Sequence, residues 1–154
     1  MHFDTFTPAQ RILRDAADAR QTLAEQWLTA AQVSQRLGSH APNGGRRLVS
    51  QLRRAGKLLG VYVTNPSPSY RYPTWQFLPS GQPVDHLAEI LAVLREFGPF
   101  EHEPSGLRRS TYWGEVEWFL SPHAMLDGGT PSKMLASDPS RVLNAACVEF
   151  QGES

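Results

Sequence analysis

Apolar residues recur along this 154-residue chain at two different intervals, and the changes of interval divide it into elements. Ile12, Ala16, Ala19, Leu23 and Trp27 stand three or four positions apart, the spacing of one helical face. Thr7-Pro8-Ala9-Gln10 precedes them as a capping box: the Thr hydroxyl accepts a first-turn N–H, Pro8 sits where no N–H is needed, and Gln10 reaches back. A helix over about residues 8 to 26 is predicted, with a narrow apolar stripe between charged flanks. That stripe suits packing on the body or on a second copy of itself. Thr29-Ala30-Ala31-Gln32 repeats the capping box and opens a short helix with Val33 and Leu37 inward and Gly38 as its stop. After the loop SHAPNGG comes GRRLVSQLRRAGK, whose helical projection gathers Leu48, Val49, Leu52 and Ala55 on one face. Arg47, Ser50 and Arg54 lie opposite, Arg46, Arg53 and Lys57 take the shoulder, and Gly56 closes the helix.

The interval then shortens. LLGVYVT and SYRYPTWQF, rich in β-branched and aromatic residues around an Asn65-Pro66-Ser67-Pro68 turn, predict two strands that close near residue 80. Helical spacing returns with Leu87, Ile90, Leu91 and Leu94, and Gly98-Pro99 ends it. Residues 99 to 110 carry no period and are expected as a loop, after which TYWGEVEWFL places Trp113, Val116, Phe119 and Leu120 on one side of a helix. Punctuation dominates from there. Pro122 stops that helix, Leu126 tucks under a turn, and Gly128 and Gly129 permit positive φ. Thr130-Pro131 and Asp138-Pro139 each cap and start a helix, with Met134, Leu135, Val142, Leu143 and Ala146 inward.

The fold class that results is mainly α with a small β-hairpin. Residues 1–28 form an N-terminal helix, 29–80 a winged helix-turn-helix-like unit, and 81–154 a small helical bundle. Helix, turn, Arg-rich helix and hairpin is the order of that DNA-reading design, although the loop between the two helices is longer than the usual turn.

Charge sharpens the picture. The chain is neutral overall, yet Gln26 to Val84 holds seven basic residues and no Asp or Glu, while Asp85 to Ser154 holds eleven acids against five bases. A stretch of +7 ahead of one of −6 points to a polyanion-facing part joined to a part with a different partner. On this reading Arg47, Ser50, Gln51 and Arg54 enter the major groove of double-stranded DNA, and Arg46, Arg53, Lys57, Tyr70 and Arg71 serve phosphates. A homodimer is expected, since two half-sites give a small reader useful affinity.

Composition and motif search narrow the function classes. A hydrophobic share of 40% suits globular packing. With no apolar run of membrane length and no signal segment, a cytoplasmic protein without a membrane partner is expected. Cys147 is the one cysteine, so neither an internal disulfide nor a thiolate zinc site is expected, and a buried helical thiol is. There is no nucleophile elbow, no H-E-x-x-H, and no Lys-Ser/Thr after Gly128-Gly129. His123 with Asp127, and His86 with Glu89, are ordinary spacings, so the pattern predicts no enzyme, cofactor or metal.

The C-terminal punctuation carries a resemblance. Trp118-Phe119-Leu120-Ser121-Pro122-His123, Leu126-Asp127-Gly128-Gly129-Thr130-Pro131, Met134-Leu135 and Arg141-Val142-Leu143 resemble the W-L-x-x-P-N, L-G-G-x-T-P, L-L pattern of the Xre/MbcA/ParS antitoxin C-terminal domain. The match runs over about 113–143, more weakly over 87–146, with His123 in place of the family's usual Asn and Asp127 where Gly is common. It implies a module that holds a toxin, often a RES-fold enzyme that consumes NAD, beside an N-terminal domain that binds the operon's promoter. It further implies that the turn, with Pro122, His123 and Leu126, and the tail, with Glu149 and Phe150, meet the toxin. The family's N-terminal part is an all-helical Cro-like domain, so the winged half is read from charge and order alone. Two rivals stay open: a stand-alone DNA-binding regulator that meets no toxin, and an adaptor whose Arg-rich helix docks on an acidic protein.

Overall fold

Thr7 and Thr29 do what their spacing predicts. Each side chain accepts the backbone N–H of the glutamine three residues on, and that glutamine's amide oxygen accepts the threonine's own N–H at 2.9 Å. The two boxes open α1 (Pro8–Glu25) and α2 (Ala30–Arg36) of a computed structural model that describes residues 7–38, 44–64, 67–99 and 112–152. Most of the loop after Gly38, the Asn65-Pro66 half of the hairpin turn and the loop expected beyond Pro99 lie outside the described residues.

Helix α3 (Gly44–Arg54) follows, then β1 (Val61–Val63) and β2 (Ser69–Arg71), an antiparallel pair with Tyr62 opposite Tyr70. Both strands are shorter than the apolar runs that predicted them. Pro73 supplies no N–H, and Thr74–Gln76 winds into a 3₁₀ turn instead of continuing β2. A feature absent from the sequence reading is a bridge outside the hairpin: Leu28 and Tyr72 exchange both backbone hydrogen bonds, Leu28 N–H to Tyr72 O at 3.0 Å and Tyr72 N–H to Leu28 O at 2.8 Å. The chain leaving α1 is thus tied to the hairpin that follows α2 and α3, in a mainly α fold with one small β-hairpin.

Its core is small. Val33, Val49, Leu58 and Tyr72 are essentially inaccessible and pack with Leu28 and Phe77. Within α3 only part of the predicted inward face is buried: Val49 is fully inside and Leu52 half-buried, while Leu48 is 40% exposed and Ala55 is exposed. Gly45 takes the place expected of Leu48, turning the helix so that Leu48 and Ala55 lie beside its polar face.

The C-terminal half comprises α4 (Leu87–Phe97), α5 (Trp113–Leu120), α6 (Pro131–Met134) and α7 (Pro139–Ala146), the last running into a π-helical turn, Cys147–Gln151. Leu87, Ile90, Leu91, Leu94, Val116, Phe119, Leu135 and Val142 are buried as their spacing predicts; Leu120, expected inward, stands outside at 36% exposure. The larger core continues across residue 80. Trp27, Leu59, Val61 and Val63 from the winged part join α4, α5 and α7 in one cluster, and Trp27 stacks on Trp113 with centroids 5.9 Å apart. Burying that apolar and aromatic surface holds the two halves together. Cys147 is half-buried against the same cluster.

Two glycines make the junctions possible. At Gly60 an added Cβ would stand 2.9 Å from both Arg53 Cδ and Tyr72 Cε1, so the missing side chain lets α3 lie close to Tyr72. Gly81, at φ +95°, sits on the carbonyl of Arg36 at the end of α2, where a Cβ would collide with backbone.

Candidate nucleic-acid interface and the C-terminal surface

On α3 the residues chosen for the groove are presented together. Arg47, Gln51 and Arg54 are exposed and Ser50 half-buried; with Arg46, assigned to phosphates and also exposed, they spread over less than half the helix circumference, and exposed Lys57 lies just past its end. Among the described residues no carboxylate pairs with Arg46, Arg47, Arg54 or Lys57, whereas Arg20, Arg95 and Arg141 each face one. Arg36, in the last turn of α2, is exposed and adds to the same basic half.

Three residues assigned to phosphates are instead built into the framework. The Arg53 guanidinium lies 3.6 Å above the Tyr70 ring, and its Nε donates to the Tyr72 hydroxyl at 3.3 Å. Arg71 Nη1 donates to the Trp27 carbonyl at 3.2 Å. Arg53 and Tyr70 therefore fasten the wing to the helix it follows, and Arg71 fastens it to the chain leaving α1; each arginine is half-buried and gives one donor to the fold. Burial pushes the Tyr72 phenol above its ordinary value, while the neighbouring Arg53 pulls it the other way.

Gln76, which the sequence reading passed over, holds this arrangement from below. Its side chain is fully buried; Oε1 accepts Leu59 N–H at 2.8 Å and Nε2 donates to Leu59 O at 2.8 Å and Pro73 O at 3.1 Å. Leu59 lies between α3 and β1, where no strand partner exists, and the amide stands in for one. The only sign in sequence is a lone amide inside the apolar run YPTWQFL.

The resemblance-bearing turn is ordered by its own side chains. Leu126 is 1% exposed and belongs to the core, so it shapes the turn and offers no contact surface, while Pro122 is exposed. The left-handed positions are Asp127 at φ 57° and Gly128 at φ 82°; Gly129, expected to share that role, does not. Asp127 also accepts from Arg141 Nη2 at 2.8 Å, tying the turn to α7. His123 Nδ1 accepts the Met125 N–H at 3.1 Å, which places the ring proton on Nε2, and Nε2 donates to Glu149 Oε1 at 2.7 Å. The same oxygen accepts from Trp118 Nε1 at 3.0 Å, and Phe150 packs 6.1 Å from the Trp118 ring. His123, Glu149 and Phe150 thus meet at one corner, where they fold the tail onto its own bundle. Among the described residues no group of three or more His, Cys, Asp or Glu is placed to hold a metal, and no helix is long and apolar enough to cross a membrane.

The fold is mainly α with one small antiparallel hairpin, and the exposed cations of α3 stand in its N-terminal half. No family model matches the chain and no curated protein matches it. Among solved structures it is similar to the NMR structure of Rv2175c, with a TM-score of 0.53 and 21% identity over 80% of this chain and 81% of that one. At that identity the likeness concerns the fold, and it spans both halves.

Proposed function

We propose that this protein binds double-stranded DNA through α3 as a dimeric promoter-binding repressor, and that its C-terminal bundle holds a toxin as the antitoxin of a bacterial toxin–antitoxin pair. The observation that carries the first part is the row Arg46, Arg47, Arg54 and Lys57, exposed and, among the described residues, with no carboxylate paired to it. Three exposed arginines on one short helix and a lysine just past its end repel one another, and a polyanion removes that cost as they displace counterions from its backbone. Gln51 and Ser50 between them supply hydrogen-bonding groups of the kind that read base edges. The second part rests on the resemblance of residues 113–143 to the antitoxin domain, whose turn here is held by Asp127–Arg141 and His123–Glu149. Within that reading Pro122 and the rim of the His123 corner face the toxin, while Leu126 supports them from inside.

The test is fluorescence anisotropy with a duplex from upstream of the protein's own gene. The R47E/R54E double variant is expected to lose at least about a hundredfold in affinity at moderate salt while keeping its far-UV spectrum. Unchanged affinity would remove α3 from the DNA. Co-expression with the neighbouring reading frame tests the second part separately: a co-purified toxin supports it, and a neighbour that neither binds nor harms growth leaves the stand-alone regulator.

A further inference from the structure

Leu48 is an apolar residue on a cationic face. Taken at about 100° per residue, the exposed arc of α3 runs from Arg46 through Ser50, Arg54, Arg47 and Gln51 to Ala55 and Leu48. Ala55 belongs to the same projection because its N–H still reaches the Gln51 carbonyl at 2.9 Å. The two edges of the arc differ in chemistry. Arg46 and Ser50 form one. Leu48 and Ala55, seven residues apart and so within about 20° of each other, form the other, with Gln51 between them along the axis. The helix buries Gly45 and Val49 against the body and leaves Leu48 40% exposed.

We infer that Leu48 reads thymine, packing its side chain on the C5-methyl group in the major groove and giving α3 a preference for an A·T pair at that point of its site. The inference rests on the DNA reading above and states what that helix discriminates. A single exposed leucine is ordinary on a protein surface. This one borders a helix face on which, among the described residues, no carboxylate pairs with Arg46, Arg47 or Arg54. An apolar protein surface seated on Leu48 would desolvate those arginines without a charge to meet them. Duplex DNA meets both needs at once: phosphates for the cations and, in the major groove, the thymine methyl as an apolar group. Phosphate contacts carry no sequence information, so discrimination falls to the side chains between and beside the arginines. Gln51 lies three residues on, about 4.5 Å along the axis and close to the 3.4 Å rise of one base-pair step. Its amide suits N6 and N7 of adenine, which makes this edge of α3 consistent in the base pair it favours.

Uracil lacks that methyl and keeps the pairing of thymine, so it isolates the contact. The upstream duplex is prepared twice, with thymine and with uracil at every thymine position, and each form is titrated by anisotropy with the full chain and with L48A at one moderate salt concentration. The parent is expected to bind the uracil duplex about threefold to fivefold more weakly for each methyl contacted. L48A is expected to bind the thymine duplex more weakly by a similar factor and to bind the two duplexes alike. Truncation of a side chain already 40% exposed should leave the urea midpoint near the parent's, and the comparison of the two duplexes with the parent needs no variant. A parent that binds both duplexes equally would overturn the inference. So would an L48A chain that still separates them by the parent's factor, because the discrimination would then lie in the DNA or in another residue. Either result leaves the DNA reading and its salt dependence standing. No affinity for either duplex overturns both and leaves an acidic protein as the partner of α3.

Discussion

Replacing Gln76 by Met removes the buried amide and keeps most of its volume, so the change isolates hydrogen bonding from cavity formation. Three backbone groups lose their partner: the Leu59 N–H, the Leu59 carbonyl and the Pro73 carbonyl. Leu59 is fully buried and water cannot replace the amide there without opening the fold. An orphaned buried backbone group costs about 1–3 kcal/mol, and the carbonyls, with two lone pairs each, fall at the low end. Relief from burying the amide itself offsets part of this, so the net destabilisation is about 2–4 kcal/mol. At about 2–4 °C per kcal/mol for a chain of this size, the melting temperature should drop by roughly 5–15 °C. Urea unfolding followed by tryptophan fluorescence is the assay, because Trp27, Trp75 and Trp113 sit in contact across the junction of the two halves. An unchanged slope with a midpoint lowered by the stated amount fits the argument. A loss below about 0.5 kcal/mol would refute it, since the amide would then not be holding the chain between α3 and β1.

Other changes test neighbouring parts of the same structure. Gly81→Ala forces a Cβ against the Arg36 carbonyl at a positive φ and should cost about 2 kcal/mol or more by chemical denaturation, whereas Gly128→Ala, in open space, should cost only the smaller left-handed penalty. Burial raises Tyr72 above its ordinary value near 10, so the folded state keeps the phenol proton longer than the unfolded chain. Its stabilising contribution is whole below about pH 10 and fades as pH rises from there through the folded-state value; a pH series of melting temperatures should show this alkaline loss in the parent and less of it in Tyr72→Phe. Thr29→Ala removes the cap of α2 and should cost about 1 kcal/mol, measurable by the same urea assay. Glu149→Gln keeps an acceptor for Trp118 but weakens the charged bond to His123, so the tail should exchange its amides faster while the bundle core does not change.

Helix ends and buried stripes were legible because they are local: Thr7, Thr29, Thr130 and Asp138 cap by side chains within three residues of the groups they satisfy. The positions missed are those decided by something distant in sequence. Leu28 forms a β-bridge only because Tyr72, forty-four residues on, offers both its backbone groups. Leu48 and Ala55 match the helical period, but the facing surface is narrow and Gly45 and Val49 fill it. Within the candidate interface, composition located the basic helix without separating its members. Arg53 and Arg71 look like Arg47 and Arg54 in sequence, and only the Tyr70 ring, the Tyr72 hydroxyl and the Trp27 carbonyl distinguish them. At the C-terminus Pro122, Gly128 and Thr130-Pro131 marked the turn, while the pairing of His123 with Glu149 across twenty-six residues could not be read from spacing.

The central claim is that the exposed cations of α3 meet a nucleic-acid backbone, and the slope of affinity against salt measures that contact itself. Binding of the full chain to the upstream duplex is followed between about 50 and 200 mM salt. With two to four phosphates neutralised per protomer at about −0.9 each, log K should fall with log salt at a slope of roughly −2 to −4 per protomer, and R47E/R54E should flatten it. An affinity that scarcely moves over that range, or a slope the double variant shares, would contradict the account.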